Sequence, residues 1–313
     1  MAENKIRTIF IGTPTFSIPA LKALIADELF EVVAVITQPT KEVGRKKVLT
    51  PPPIKVEAEK NNIKVLQPKK IIEEIESIRS LKPDLIVVVA YAQIIPEAIL
   101  NIPHFGCINI HGSLLPRYRG AAVVQAAIQN YDKQSGVTIM LMDKGLDTGP
   151  ILSQEAINLE PQETSTTLFE KLSHLGGKLL IPTLKSYIRG EIKPIAQDDS
   201  QASYVKTLTK NDGKIDWTKS AFEIERFVRA MNPWPSAWTK WNDKTIKITE
   251  VEHSPHLIEQ YKEGEVFLDH DKIAVQCGFE AILIKKLQLE GKKEMSAEEF
   301  LRGNKDIIHQ ILT

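Results

Sequence analysis

The chain has few cysteines. Only Cys107 and Cys277 occur in 313 residues, too few and too far apart for a disulfide framework or a zinc site of four thiolates. A reducing cytoplasm is the expected setting. An excess of charge is also missing, since Lys plus Arg and Asp plus Glu stand at 40 each. Global electrostatics therefore gives no hold on a polyanion, and any nucleic-acid site must be local. Met1 to Arg7 passes almost at once into a short apolar strand, with no basic leader before a long apolar run. Neither a secretory signal nor a membrane span is expected. Internal repeats and low-complexity tracts are absent as well. The first strand ends in Gly12-Thr13-Pro14 with a single glycine, where a dinucleotide-binding domain carries GxGxxG. Pro14 removes a backbone donor that a phosphate cradle would use, so a structural turn is expected and NAD is not.

What is present is an apolar fraction of 42%, ordinary for a globular chain long enough for two domains. Short apolar runs alternate with helix-like stretches from Ile6 to about Leu184. The candidate strands are Thr8–Ile11, Glu31–Thr37, Lys64–Val65, Leu85–Ala90, Cys107–Ile110 and Val137–Leu141. Helical patterns cover Ile18–Ala26, Ile54–Asn61, Ala121–Asn130 and Ser165–Tyr187. Apolar strands separated by helices imply parallel crossovers and a sheet covered on both faces, a Rossmann-like α/β domain with a mostly parallel sheet.

The rhythm changes after Gly190. A polar, proline-containing stretch reads as an interdomain linker. One helix, Ala221–Met231, is then followed by short β-like runs at Lys244–Thr249, Gly264–Phe267, Ile273–Gln276 and Ala281–Leu289, which suggest a small β-barrel. The expected division is residues 1–189, a linker over 190–208, and residues 209–313.

The chemistry gathers in Cys107-Ile108-Asn109-Ile110-His111-Gly112-Ser113-Leu114-Leu115-Pro116-Arg117-Tyr118-Arg119-Gly120 and in the later Asp143-Lys144-Gly145-Leu146-Asp147-Thr148-Gly149. Side chains two apart on a strand share a face, so Asn109 and His111 point one way and Ile108 and Ile110 the other. Asn109 can donate to an oxygen gaining negative charge, or it can cap the strand end. His111 can move a proton or help hold an oxyanion. Asp147 is a turn former by local sequence, and partnership with His111 is what would make it functional. An amide, an imidazole and a carboxylate together are equipment for acyl transfer. Ser113 lacks the GxSxG turn of a serine nucleophile. Cys107, His111 and Asp147 lack the HExxH or paired-Cys spacing of a metal site, and no metal is expected.

At these residues the chain resembles the folate-dependent formyltransferases, whose hallmarks are an Asn-x-His strand, a Ser-Leu-Leu-Pro loop and a later Asp in a Gly-rich loop. The Ser113–Gly120 form, the Gly145–Gly149 loop and Asn232-Pro233-Trp234-Pro235 resemble in particular those members that act on a charged tRNA. The likeness covers nearly the whole chain. It implies 10-formyltetrahydrofolate as donor and the free α-amine of methionine on initiator tRNA as acceptor. Asn109, His111 and Asp147 become the catalytic set, and Ser113, Leu114, Leu115 and Pro116 part of the folate site. The run around Val88, Ala90, Tyr91, Gln93 and Ile94 becomes a wall of the pterin pocket, and the C-terminal domain an OB-like module. A monomer is expected.

The resemblance also matches Arg45, Lys46 and Lys47, in a proline-bounded loop after the second strand, to a segment that tests the acceptor stem of the tRNA. Cations there can bind phosphates, and Arg can also donate to base edges. Lys206 and Lys210, with Lys244, Lys247, Lys285, Lys286, Lys292 and Lys293, are the candidates for an RNA face on the C-terminal domain. Two other readings stay open: a formyltransferase acting on a small nucleotide or sugar amine, and a non-enzymatic RNA-binding protein with a degenerate folate pocket.

Overall fold

The computed structural model describes residues 5–44, 47–255 and 261–313. Its chain divides into two compact units, one of residues 1–123, 134–158 and 169–205, the other of residues 124–133, 159–168 and 206–313.

In the first unit the strands are β1 (Ile6–Gly12), β2 (Phe30–Ile36), β3 (Lys41–Val43), β4 (Val48–Thr50), β5 (Val65–Leu66), β6 (Leu85–Val89), β7 (Cys107–His111), β8 (Arg119–Gly120), β9 (Gln134–Leu141), β10 (Ile151–Asn158) and β11 (Tyr204–Val205). The helices, in chain order, are α1 (Ile18–Ala26), α2 (Pro53–Lys60), α3 (Ile75–Ser80), α4 (Glu97–Leu100), α5 (Val123–Gln129) and α6 (Ser165–Ile188), the last two divided between the units. The main sheet runs β10-β9-β7-β6-β1-β2-β5. From β5 to β7 neighbouring strands are parallel, while β9 lies antiparallel to both β7 and β10. The sheet is thus mostly parallel, as its apolar strands imply, with an antiparallel edge. Strand direction leaves no mark on hydrophobic periodicity. β10 escaped the sequence pattern because Ser153, Gln154 and Glu155 give it the polar look of an edge strand.

One face of the sheet packs Ile9, Ile11, Ala34, Ile36, Ile86, Val88 and Cys107 with Ile71 and Ile78, Tyr91, Ile95 and Ile99. The other face meets α6 at Gly176, where a Cβ would come within 2.8 Å of Ile110 Cγ2. Only a residue without a side chain lets that helix lie so close to β7.

The loop read around Arg45 is a β-hairpin, with β3 and β4 paired from Lys41 opposite Thr50 to Val43 opposite Val48. Lys47 stands near its tip with φ 49°, its ammonium 4.0 Å from Glu42. Arg45 and Lys46 lie outside the described residues.

In the second unit α7 (Ala221–Met231) starts from a capping box in which Ser220 and Glu223 satisfy each other's backbone donors. It packs Ile224, Val228 and Met231 into the core of an antiparallel sheet. The strands are β12 (Ala237–Trp241), β13 (Lys244–Ser254), β14 (Val266–Asp269), β15 (Lys272–Gln276), β16 (Ala281–Leu289) and β17 (Met295–Ser296), followed by α8 (Ala297–Gly303). Their order is β12-β13-β16-β15-β14, with β17 beside β16. Residues 309–313 bond both edges of this sheet. Thr313 and Lys240 exchange backbone hydrogen bonds on the β12 side, while the Val266 N–H donates to Gln310 O and the Leu312 N–H to Gly264 O on the β14 side. Edges that would otherwise be open are thereby paired.

Burial pushes the thiols of Cys107 and Cys277 up to about 12, from an ordinary 9.0. Both should resist iodoacetamide at pH 8 in the native protein and react once urea unfolds it, as mass spectrometry would read. The raised folded value makes this contribution to stability full below pH 9.0 and lost as pH climbs toward about 12. The urea midpoint should therefore fall over that alkaline range.

Candidate active site

β7 carries an apolar residue into the core and two polar ones toward its C-terminal end, all on one face. Cys107 lies opposite Ile86 and Asn109 opposite Val88 on β6, while His111 lies opposite Thr138 on β9. The carboxyl ends of parallel strands are where α/β sheets place their ligands. Asn109 and His111 are both buried, at 8% and 6% exposure.

Asp147 arrives from the loop after β9. Its Oδ1 accepts a long 3.4 Å bond from Asn109 Nδ2, and its Oδ2 lies 3.6 Å from His111 Nδ1. That second distance is too long for a hydrogen bond, and the pair attracts only when the imidazole carries a proton on both nitrogens. The firm tether is the Gly120 N–H, which donates to Oδ2 at 2.8 Å. The structure thus brings together the three side chains that the sequence nominated, across 38 residues in the case of Asn109 and Asp147.

The His111 ring is oriented from its other side. Nε2 lies 2.8 Å from the Tyr118 carbonyl. A carbonyl only accepts, so Nε2 carries the hydrogen and Nδ1 is the nitrogen turned to the carboxylate. Tyr118 holds this position with φ 58°, while its N–H donates to Ser203 Oγ.

Ser113 is buried, and its hydroxyl donates to Arg117 O at 2.7 Å, so its Oγ serves the loop. Thr138 Oγ1 donates to Ser113 O and accepts from the Leu115 N–H. Gln154 Nε2 donates to Leu115 O. Leu115 is buried, its bond to Pro116 is cis, and Leu114 and Pro116 are half-buried.

The wall residues divide. Val88 and Tyr91 belong to the core cluster, at 5% and 2% exposure. Tyr91 Oη is buried without a partner. Ala90, at φ 49°, is exposed. Gln93 spends its amide on structure, accepting from the Ile71 N–H and donating to Lys69 O. With Ile94, 85% exposed, it lines an open cleft of about 480 Å³ shared with Gln38, Lys69, Ile71 and Pro96.

The stretch read as a linker is bound to this site. Ile195 pairs with Ile151, β11 pairs with β8, and Gln197 Nε2 donates to both Asp147 O and Gly149 O. Arg119, 2% exposed, donates to Gln197 Oε1, Tyr204 Oη and Asp199 Oδ1. The sequence reading missed these roles. Arg119 and Gly120 lay inside the quoted motif, but nothing local marks Gln197.

On the C-terminal unit, Lys206 pairs with Asp212 at 2.6 Å, Lys285 with Glu252 and Lys286 with Glu250. Lys210, Lys244, Lys292 and Lys293 are exposed. Among the described residues no helix is long and apolar enough to cross a membrane, and no group of three or more His, Cys, Asp or Glu could hold a metal ion.

Sheet and site together define an α/β group-transfer domain, followed by an antiparallel β unit. Residues 4–184 match the formyl transferase family model and residues 207–305 the formyl transferase C-terminal domain. The chain belongs to the formyl transferase family. It is 44% identical over 306 residues to a methionyl-tRNA formyltransferase of Lachnospira eligens, covering 96% of this chain and 97% of that one. Another from Citrifermentans bemidjiense is 45% identical over 303 residues, covering 96% and 94%. Among solved structures, the N-formyltransferase from Helicobacter canadensis, in complex with folinic acid and dTDP-3-aminofucose, superposes with a TM-score of 0.67 at 22% identity, covering 89% of this chain and 99% of that one. That likeness concerns the fold.

Gly120 ties the site to its support. Its φ is +106°, and a Cβ would stand 2.2 Å from Val205 O. Gly120→Ala should cost at least about 2 kcal/mol of stability and displace the N–H that holds Asp147. Urea titration and turnover should both register the change.

Proposed function

We propose that this chain transfers the formyl group of 10-formyltetrahydrofolate to the free α-amine of methionine esterified to initiator tRNA. The observation that carries the reading is the meeting of Asn109, His111 and Asp147 at the carboxyl end of β7. The relatives named methionyl-tRNA formyltransferase, matched over nearly the full length, support the choice of acceptor.

The donor supplies an activated one-carbon unit on nitrogen, and its leaving nitrogen needs a proton. Asn109 Nδ2 donates to the formyl oxygen as negative charge grows there, a contribution of about 2.7 to 4 kcal/mol for one preorganised donor. Its bond to Asp147 is long enough for it to turn to substrate at little cost. His111, oriented by Tyr118 O, accepts a proton at Nδ1, and once protonated there it donates to that oxygen. Asp147 orients the ring electrostatically and takes part in moving the amine proton toward the leaving nitrogen.

In this reading the folate lies in the cleft bounded by Gln38, Lys69, Lys70, Ile71, Ala92, Gln93, Ile94 and Pro96. Ile71, Ala92, Ile94 and Pro96 suit its flat apolar parts, and the two lysines suit its carboxylates. The buried, unpartnered Tyr91 Oη retains an unused donor and acceptor on the same segment.

The 41–50 hairpin, through Arg45, Lys46 and Lys47, meets the acceptor stem in this reading. The C-terminal unit holds the tRNA body, with the exposed Lys210 as a phosphate contact and Lys206 shared with Asp212. The reading takes the protein to act as a monomer.

Formyl transfer from 10-formyltetrahydrofolate is to be measured with methionine-charged initiator tRNA, uncharged initiator tRNA, charged elongator tRNA and a nucleotide-linked amino sugar. Transfer to the charged initiator alone supports the assignment, and transfer to the amino sugar in its place overturns it. Asn109→Ala should lower kcat by about 10² to 10³, and His111→Ala and Asp147→Ala by about 10² to 10⁴, with folate binding retained in a titration. A variant keeping parental kcat removes that residue from the set. Arg45→Ala should raise KM for the tRNA at least about tenfold, one lost charge-assisted contact, and leave folate affinity unchanged.

A further inference from the structure

We propose that Gln197 is a positioning residue for the Asp147 carboxylate, a clamp between the buried Arg119 guanidinium and the backbone of the 147–149 loop. The inference rests on the reading of Asp147 given above. Gln197 Nε2 donates to Asp147 O at 2.8 Å and to Gly149 O at 2.7 Å. Its Oε1 accepts from Arg119 Nε at 3.1 Å and from Nη2 at 2.9 Å.

These partners leave the amide one orientation. Arg119 can only donate and the two carbonyls can only accept, so a flipped amide would face donor to donor and acceptor to acceptor. Arg119 is itself fixed. Its guanidinium is 2% exposed, and two further donors go to Tyr204 Oη at 2.9 Å and Asp199 Oδ1 at 2.6 Å. The chain Asp199, Arg119, Gln197 and the loop carbonyls therefore runs from an exposed carboxylate to the backbone of Asp147 without a gap.

The loop needs such a hold. Asp147 has φ 54°, in the left-handed region that is uncommon for a non-glycine residue, although Asp enters it more readily than most. Its neighbour Leu146 is 58% exposed, so packing on that side does not fix the turn. Gln197 grips the carbonyls of Asp147 and Gly149 and so sets the direction in which the carboxylate leaves the backbone. Arg119 also leads directly into Gly120, whose N–H holds Asp147 Oδ2. One clamp thus fixes the backbone of Asp147 and the segment that grips its side chain. The distances to Asn109 and His111 depend on both.

The test compares Gln197→Ala and Gln197→Glu in the full-length protein with 10-formyltetrahydrofolate and methionine-charged initiator tRNA. Gln197→Glu keeps an acceptor for Arg119 but turns an oxygen toward the two carbonyls, so it separates loss of the clamp from loss of the fold. Both variants should lower kcat about 10- to 100-fold, the scale of a misplacement near 1 Å. KM for each substrate should stay within about twofold, and melting temperature close to the parent. In an Asp147→Ala background, Gln197→Ala should change kcat less than about twofold, because residues acting as a unit are not additive. Parental kcat in Gln197→Glu, or an equal loss from Gln197→Ala in both backgrounds, would overturn the clamp. Full turnover in Asp147→Ala alone would overturn the reading of Asp147 and the clamp with it. Lost turnover in Asp147→Ala beside an unaffected Gln197→Ala would overturn the clamp alone.

Discussion

The bond from the Gly120 N–H to the Asp147 carboxylate is the constraint on which the arrangement depends. It joins the loop after β9 to the segment that follows β7, and so sets the carboxylate beside Asn109 and His111. Its donor stands where a glycine alone fits, with φ +106° and Val205 O in the space of a Cβ. That approach exists because β11 pairs with β8. A strand of two residues, remote in sequence, thus governs the geometry of the site.

Burial raises the energetic stakes of these contacts. Asn109 and His111 are nearly shielded from water, and in such surroundings a hydrogen bond is stronger and an unpaired polar group more costly. The protein answers with partners for most of the groups involved. Tyr118 O fixes the imidazole, Thr138 and Gln154 hold the Ser113–Leu115 backbone, and Ser113 bonds its own loop. A preorganised site needs little rearrangement when charge develops, which is the basis of electrostatic catalysis. The family assignment and this geometry agree on formyl transfer, while the likeness to a sugar-acting N-formyltransferase is one of fold and does not choose the acceptor.

Much of β7 was legible because side-chain alternation is a local rule. Asn109 and His111 share a face, Ile108 and Ile110 face away, and Cys107 joins the apolar core. Helices α1 and α7 begin and end where their helical patterns do, at Ile18–Ala26 and Ala221–Met231. The 41–50 segment, read as a loop, is a hairpin, since three-residue strands with exposed Val48 and Leu49 present no buried alternation. The 190–205 stretch reads as a tether because it is polar and has a proline. Its polar groups are instead the partners of Arg119 and of the Asp147 loop.

Sequence by itself determined the strand faces, the chemical identity of the three candidate catalytic groups and the family. Each follows from near-neighbour chemistry or from motifs of a few residues. Tertiary structure decided the antiparallel edge, the pairing of the second unit's sheet edges by residues 309–313, the acidic partners of Lys206, Lys285 and Lys286 and the support beneath Asp147. These depend on hydrogen bonds between residues tens of positions apart. A backbone carbonyl such as Tyr118 O or a single N–H such as that of Gly120 has no sequence signature, since every residue offers one and only the fold aims it.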